Sequence, residues 1–154
     1  MTKFTQSIIH TQITAGLKKN ETFRFKVTGN CMWPLIQKGD WVIVEPILTD
    51  PVIQIGEIIL MDRGVDFVVH RLVRINNCEV ITQGDWTRLP DPPMKREKIL
   101  GKVTLIDKSW CRLRLTNPIM HCINRVLYCI SSLHRKSNFY KGVSNESFNH
   151  PSTQ

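Results

Sequence analysis

The stretch "GNCMWPLIQKGDWVIV", residues 29–44, decides how the rest of the chain is read. It sets Cys31 in a box of Gly, Asn, Met, Trp and Pro, then passes through Gly39-Asp40 into a continuous apolar run. A Gly-Asp pair ahead of a run rich in Val and Ile reads as a turn feeding a strand. Cys31 is therefore either a nucleophile held on a turn or one more small side chain in a β core.

Outward from that box the pattern stays β. "FRFKV" (23–27) alternates Phe23, Phe25 and Val27 with Arg24 and Lys26, as a half-buried strand does. "EIILMD" follows Gly56, and "FVVHRLVRI" follows the turn "DRGVD". "CEVITQ" comes after Asn76-Asn77, which predicts a hairpin between it and the strand before. "LGKVTLID" and "WCRLRL" close the series. Strands this short and closely spaced predict a mainly β domain over residues 23–117, an antiparallel sheet coiled into a partial barrel.

The flanks differ. Residues 1–22 form an N-terminal segment with a short helix expected over 5–18, where Ile8, Ile9, Ile13 and Leu17 share one stripe. After Pro118 the period changes. Ile119, Ile123, Val126, Ile130 and Leu133 step by four and three, which predicts an amphipathic helix over 118–136. That helix either packs on the β domain or lies peripherally on a membrane surface, flanked by Arg125, Arg135 and Lys136. Residues 137–154 are Ser/Asn-rich, with too little apolar surface to fold, and read as a flexible tail.

The chain has 154 residues, 42% of them hydrophobic, which suits one domain with a real core. Its formal charge of +8 is unevenly spread. Residues 27–107 carry nine basic and eleven acidic side chains, whereas 108–154 carry seven basic and one acidic. The slightly acidic centre argues against a nucleic-acid-binding body. Five Cys, an odd number without a CxxC pair, argue against a disulfide framework and for reduced thiols. Cys122 and Cys129 with His121 and His134 match no standard zinc pattern, so no metal or cofactor is expected. The N-terminal segment lacks the apolar core of a signal peptide, and no run spans a membrane, so a cytoplasmic location is expected.

Three segments can carry chemistry together: "GNCMWP", "VVHRLV" and "TQGDWTRLPD". They supply a thiol at Cys31, an imidazole at His70 and carboxylates at Asp85 and Asp91. These are the parts of a nucleophile–base–orienter relay.

The same segments, in this order, resemble the signal-peptidase superfamily, which includes the LexA-like self-cleaving repressors. Gly29, Met32, Pro34, Gly39, Asp40 and Val42–Val44 are similar to its Gly-x-Ser-Met-x-Pro box, Gly-Asp turn and strand, with Cys31 in place of Ser. "IGEIILM" resembles its Gly-Asp-Ile-Val strand, with Glu57 for Asp. "VHRLV" and "TQGDWTRLPD" resemble the archaeal and endoplasmic-reticulum branch, in which His is the general base. The likeness covers roughly residues 25–107.

It implies an endopeptidase in which Cys31 attacks, His70 takes its proton and Asp91 orients the imidazole, with Asp85 in reserve. Backbone N–H groups of Asn30 and Cys31 would hold the oxyanion, and Met32, Trp33 and Pro34 would border a substrate groove. The implied partner is a peptide or protein precursor. Two other readings stand beside it: an inactive relative that binds an extended peptide by strand addition, and a basic protein that binds a membrane surface.

Overall fold

The computed structural model describes residues 3–47, 53–64 and 66–116, with only the backbone of 3–9, and residues 122, 123, 126, 129 and 130 beyond them. The expected tail, 137–154, and most of the expected helix, 118–136, lie outside the described residues. The five described positions in that helix are helical and exposed.

One helix, α1 (Lys3–Lys18), precedes eight strands of a single sheet. These are β1 (Phe23–Lys26), β2 (Trp41–Pro46), β3 (Ile58–Asp62), β4 (Phe67–Ile75), β5 (Glu79–Gln83), β6 (Met94–Lys95), β7 (Ile99–Asp107) and β8 (Arg112–Arg114). The order in space is β1-β2-β7-β3-β4-β5-β6, with β8 paired to β7, and every pairing is antiparallel. The fold is the expected mainly β one, a curled antiparallel half-barrel.

β7 has the deciding position. It joins the β1-β2 half of the sheet to the β3-β4-β5 half. Gly101 makes that join close, because a Cβ there would stand 2.5 Å from the Glu45 carbonyl oxygen. Bulges at Ile43/Val44, Leu60/Met61 and Leu72/Arg74 break the register where the sheet curls.

Curling explains why "IILMD" lacks the alternation of a half-exposed strand. All five residues of β3 are buried. Ile58 and Leu60 face one core with Leu17, Met32, Val42 and Ile106, while Ile59 and Met61 face a second with Ile53, Leu72 and Val80. α1 closes the first core with Leu17, whose burial contributes about 1.5–3 kcal/mol. Gly16, a poor helix former, lies close against β1: a Cβ there would meet the Phe23 ring at 2.5 Å, and the ring would have to shift.

The turns follow their sequence signals. Gly39 has φ +97°, a conformation open to glycine, and delivers the chain into β2. The Asn76 N–H donates to the Glu79 carbonyl at 2.9 Å, closing the predicted β4–β5 hairpin. β6 was not anticipated. It is two residues long and follows a proline-rich loop, so it offers no period to read.

Candidate active site

Cys31 lies on the irregular segment between β1 and β2. That segment is tied down locally. Asn30 Oδ1 accepts from the Lys38 N–H at 2.9 Å, and the Trp33 N–H donates to the Asn30 carbonyl at 3.1 Å. The Trp33–Pro34 bond is cis. From across the fold, the Trp86 N–H donates to the Cys31 carbonyl at 2.9 Å. Gly84 permits this approach, since a Cβ there would sit 2.6 Å from that carbonyl oxygen. Cys31 is half-buried, and none of the five cysteines is in a disulfide.

The middle of β4 supplies His70, buried and in electrostatic contact with the Cys31 side chain. Its Nδ1–H donates to Asp91 Oδ2 at 2.5 Å. Asp91 comes from the loop after β5, where its N–H donates to the Thr82 carbonyl at 2.8 Å. Thr82 Oγ1 also donates to Asp91 Oδ2, at 2.6 Å, and Arg63 Nη2 donates to Oδ1 at 2.8 Å. The structure thus brings together Cys31, His70 and Asp91 from three separated segments. Their order is thiol, imidazole, carboxylate.

Asp85, the reserve acid, is held elsewhere. Its two oxygens accept from Arg71 Nε at 2.7 Å and Nη2 at 2.6 Å, and Arg71 Nη1 donates to the Gly56 carbonyl at 2.7 Å. Arg71 is fully buried. Adjacent strand residues point to opposite faces, so His70 and Arg71 serve two different carboxylates. Glu57, the departure from the family's Asp, accepts from the Gln54 N–H at 3.1 Å and from Lys102 Nζ at 2.9 Å, a turn-stabilising arrangement.

The electrostatics separate the two titrating partners. Burial works against a charged His70, but hydrogen bonds to Asp91 and Cys31 outweigh it and raise its pKa from 6.5 to about 9. Burial likewise works against a charged Asp91. Hydrogen bonds from His70 and Thr82, with the positive charges of His70 and Arg63, outweigh it and hold the carboxyl below its ordinary value. An anionic Asp91 and a protonated His70 are the matched state at neutral pH.

Beside Cys31 opens an apolar cleft of about 220 Å³, walled by Phe25, Val27, Met32, Leu60, Phe67 and Val69. Of the expected groove residues, Met32 is on this wall. Trp33 and Pro34 are not. Trp33 instead sets its edge against Trp86, ring centroids 4.6 Å apart. The amides of Asn30 and Cys31 make no hydrogen bond among the described residues, so both are available to an incoming acceptor.

Sequence reasoning missed Thr82, Arg63 and the aromatic cleft wall. Thr82 was within reach of it, because the β4–β5 hairpin pairs Thr82 with Leu72, on the same face as His70. Arg63 carried no signal, being one basic residue in a turn. Among the described residues, no group of His, Cys, Asp and Glu is placed to hold a metal ion, and no helix is long and apolar enough to cross a membrane.

Two comparisons bear on this geometry. The family model described as Peptidase S24-like matches residues 3–104, from α1 through most of β7. No curated protein matches the chain.

Proposed function

Since this chain belongs to the Peptidase S24-like family, we propose that it is a cysteine-dependent endopeptidase acting on a peptide or protein precursor. The single observation that carries the reading is the series Cys31–His70–Asp91, with His70 hydrogen-bonded to Asp91 and facing Cys31, beside an apolar cleft.

His70 takes the proton of Cys31, and Asp91 stabilises the imidazolium so formed. A thiol beside an imidazole is a chemically competent replacement for the Ser of the signal-peptidase pattern. Sγ attacks the scissile carbonyl carbon, and the carbonyl π pair moves to oxygen. The N–H groups of Asn30 and Cys31 meet that oxyanion. As the C–N bond breaks, His70 gives its proton to the departing amine, leaving a thioester on Cys31. Neutral His70 then takes a proton from water, whose oxygen attacks the thioester. The product acid leaves, and the thiolate faces the imidazolium again. Asp91 stays anionic throughout, fixing the ring through Nδ1 and stabilising its charge.

The cleft takes the substrate side chain nearest the attacked carbonyl. Its walls are mainly apolar, with Lys26 at the border, and its volume is small, so a small or branched apolar side chain fits. The substrate binds extended, as a strand addition would place it.

The test is mass spectrometry of peptide mixtures incubated with the wild type and with Cys31→Ala. Cleavage after apolar residues by the wild type alone is the expected result. Binding of peptides by both forms with cleavage by neither would make the protein a peptide-binding relative. Equal cleavage by both forms would remove Cys31 from the mechanism.

A further inference from the structure

The two basic ends of the sequence meet on one outer face of the sheet, and the register shows how. Arg24 on β1 lies opposite Ile43, Ile43 opposite Leu105, and Leu105 opposite Arg114 on β8. The next row runs Lys26, Trp41, Asp107, Arg112. Cross-strand partners share a face, so all eight side chains lie on one surface. Its two borders are cationic and exposed, and its middle is a half-buried apolar stripe of Trp41, Ile43 and Leu105. Asp107 is the one acid in these rows, bound by Arg24 at 2.9 Å and Arg112 at 3.2 Å. The guanidinium of Arg24 also lies 4.3 Å from the Trp41 ring centroid.

The chain leaves this face with exposed apolar groups. The β7–β8 turn is closed by the Lys108 N–H donating to the Cys111 carbonyl, and it presents Trp110 at 79% exposure beside Arg112. Further on, the described helical positions Ile123, Val126 and Ile130 are 42%, 57% and 56% exposed. Cations alone would suit any polyanion. An indole and three aliphatic side chains in water also need an apolar medium, which a phosphate backbone does not offer. Anionic lipid supplies both, with headgroup charge for the borders and an interfacial layer where Trp rings settle.

From these observations we infer that the β1-β2-β7-β8 face, with Trp110 and the helical positions 123, 126 and 130, docks on an anionic membrane surface. Phe25, between Arg24 and Lys26 on β1, points to the opposite face and lines the cleft beside Cys31, and Lys26 borders that cleft from the docking side. Docking therefore sets the cleft at the edge of the membrane surface, and it does not depend on the site being active.

Vesicle sedimentation with the full chain tests this. The probes are vesicles of phosphatidylcholine alone and of phosphatidylcholine mixed with phosphatidylglycerol. The wild type is expected to bind only the mixed vesicles, with binding that weakens as salt rises. Neutralising the face by Arg24→Gln, Lys26→Gln, Arg112→Gln and Arg114→Gln together should weaken binding on the order of a hundredfold or more. Trp110→Ser, at an exposed turn, should weaken it several-fold and keeps the test available if the fourfold variant does not fold. No binding by the wild type, or unchanged binding by either folded variant, overturns the inference. So does an RNA homopolymer that binds as tightly and displaces the vesicles, which would make the face a general polyanion site.

Discussion

Arg63 and His70 share the carboxylate of Asp91, one at each oxygen, at 2.8 and 2.5 Å. The two contacts differ in weight. Arg63 is one-third exposed, and an ion pair in that position is worth about 1 kcal/mol or less, so Arg63→Gln should slow cleavage less than about fivefold. Asp91→Asn removes the charge facing the imidazolium and should cost on the order of 10³–10⁴ in kcat/KM. Steady-state kinetics on one cleavable peptide checks both, and equal losses would contradict the assignment.

Cys31 should react with iodoacetamide faster than Cys78, Cys122 and Cys129 at neutral pH, although those three are more exposed. Cys31 faces the imidazole of His70, which stays protonated to about 9, and a cationic neighbour favours thiol reactivity. His70→Ala should slow the labelling. Peptide mapping after brief alkylation reads this directly, and Cys31 labelling no faster than Cys122 would refute the paired site. Cys31→Ser should retain partial cleavage, and Cys31→Ala none.

The raised pKa of His70 also enters stability. Its folded value, about 9, lies above the ordinary 6.5. The stabilisation is therefore complete below pH 6.5 and is lost as the pH climbs through 9. Asp91 runs the other way: its contribution is present above 3.8 and is lost as the pH falls through its lowered value. Thermal melts of wild type and His70→Asn should differ most at or below pH 6.5 and converge above pH 9. A gap that widens with pH would mean that the sign is wrong.

Asp85 and Asp91 should fail in different ways. Asp85→Ala strands the buried Arg71 guanidinium, and breaking such a pair costs about 3–5 kcal/mol, which urea unfolding would show. Asp91→Asn should lower the urea midpoint less than Asp85→Ala does while abolishing most activity. The reverse pattern would exchange their roles.

Gly84→Ala is the sharpest test of the nucleophile's mounting. The added methyl would press on the Cys31 carbonyl oxygen from 2.6 Å, and that oxygen is backbone, so the segment itself must move. Cleavage should fall at least tenfold, since even a 1 Å misplacement can cost on the order of a hundredfold. Full activity in this variant would show that the carbonyl tether does not position Cys31.

Much of this architecture is legible in the chain. Alternation marks β1, the Gly39-Asp40 turn marks β2, and Asn76-Asn77 marks the β4–β5 hairpin, because each expresses a local rule of backbone or burial. The choice between Asp85 and Asp91 is not local. Both are aspartates in one loop region, and only the curl of the sheet decides which meets His70 and which meets Arg71. Trp33 illustrates the same limit. Its place in the box suggests a groove wall, yet Trp86, distant in sequence, draws it to another surface. Gly16 is a poor helix former, and its close approach to the Phe23 ring is a tertiary circumstance that no local pattern shows.

The central place of β7 has a consequence for biosynthesis. Cys31, His70 and Asp91 all leave the ribosome before Ile99, the first residue of β7. Until that strand arrives, the half of the sheet mounting Cys31 and the half mounting His70 have no common neighbour. A growing chain therefore carries every reactive group without a reaction centre. On the proposed reading, the centre is complete only once its last long strand has joined the two halves of the sheet.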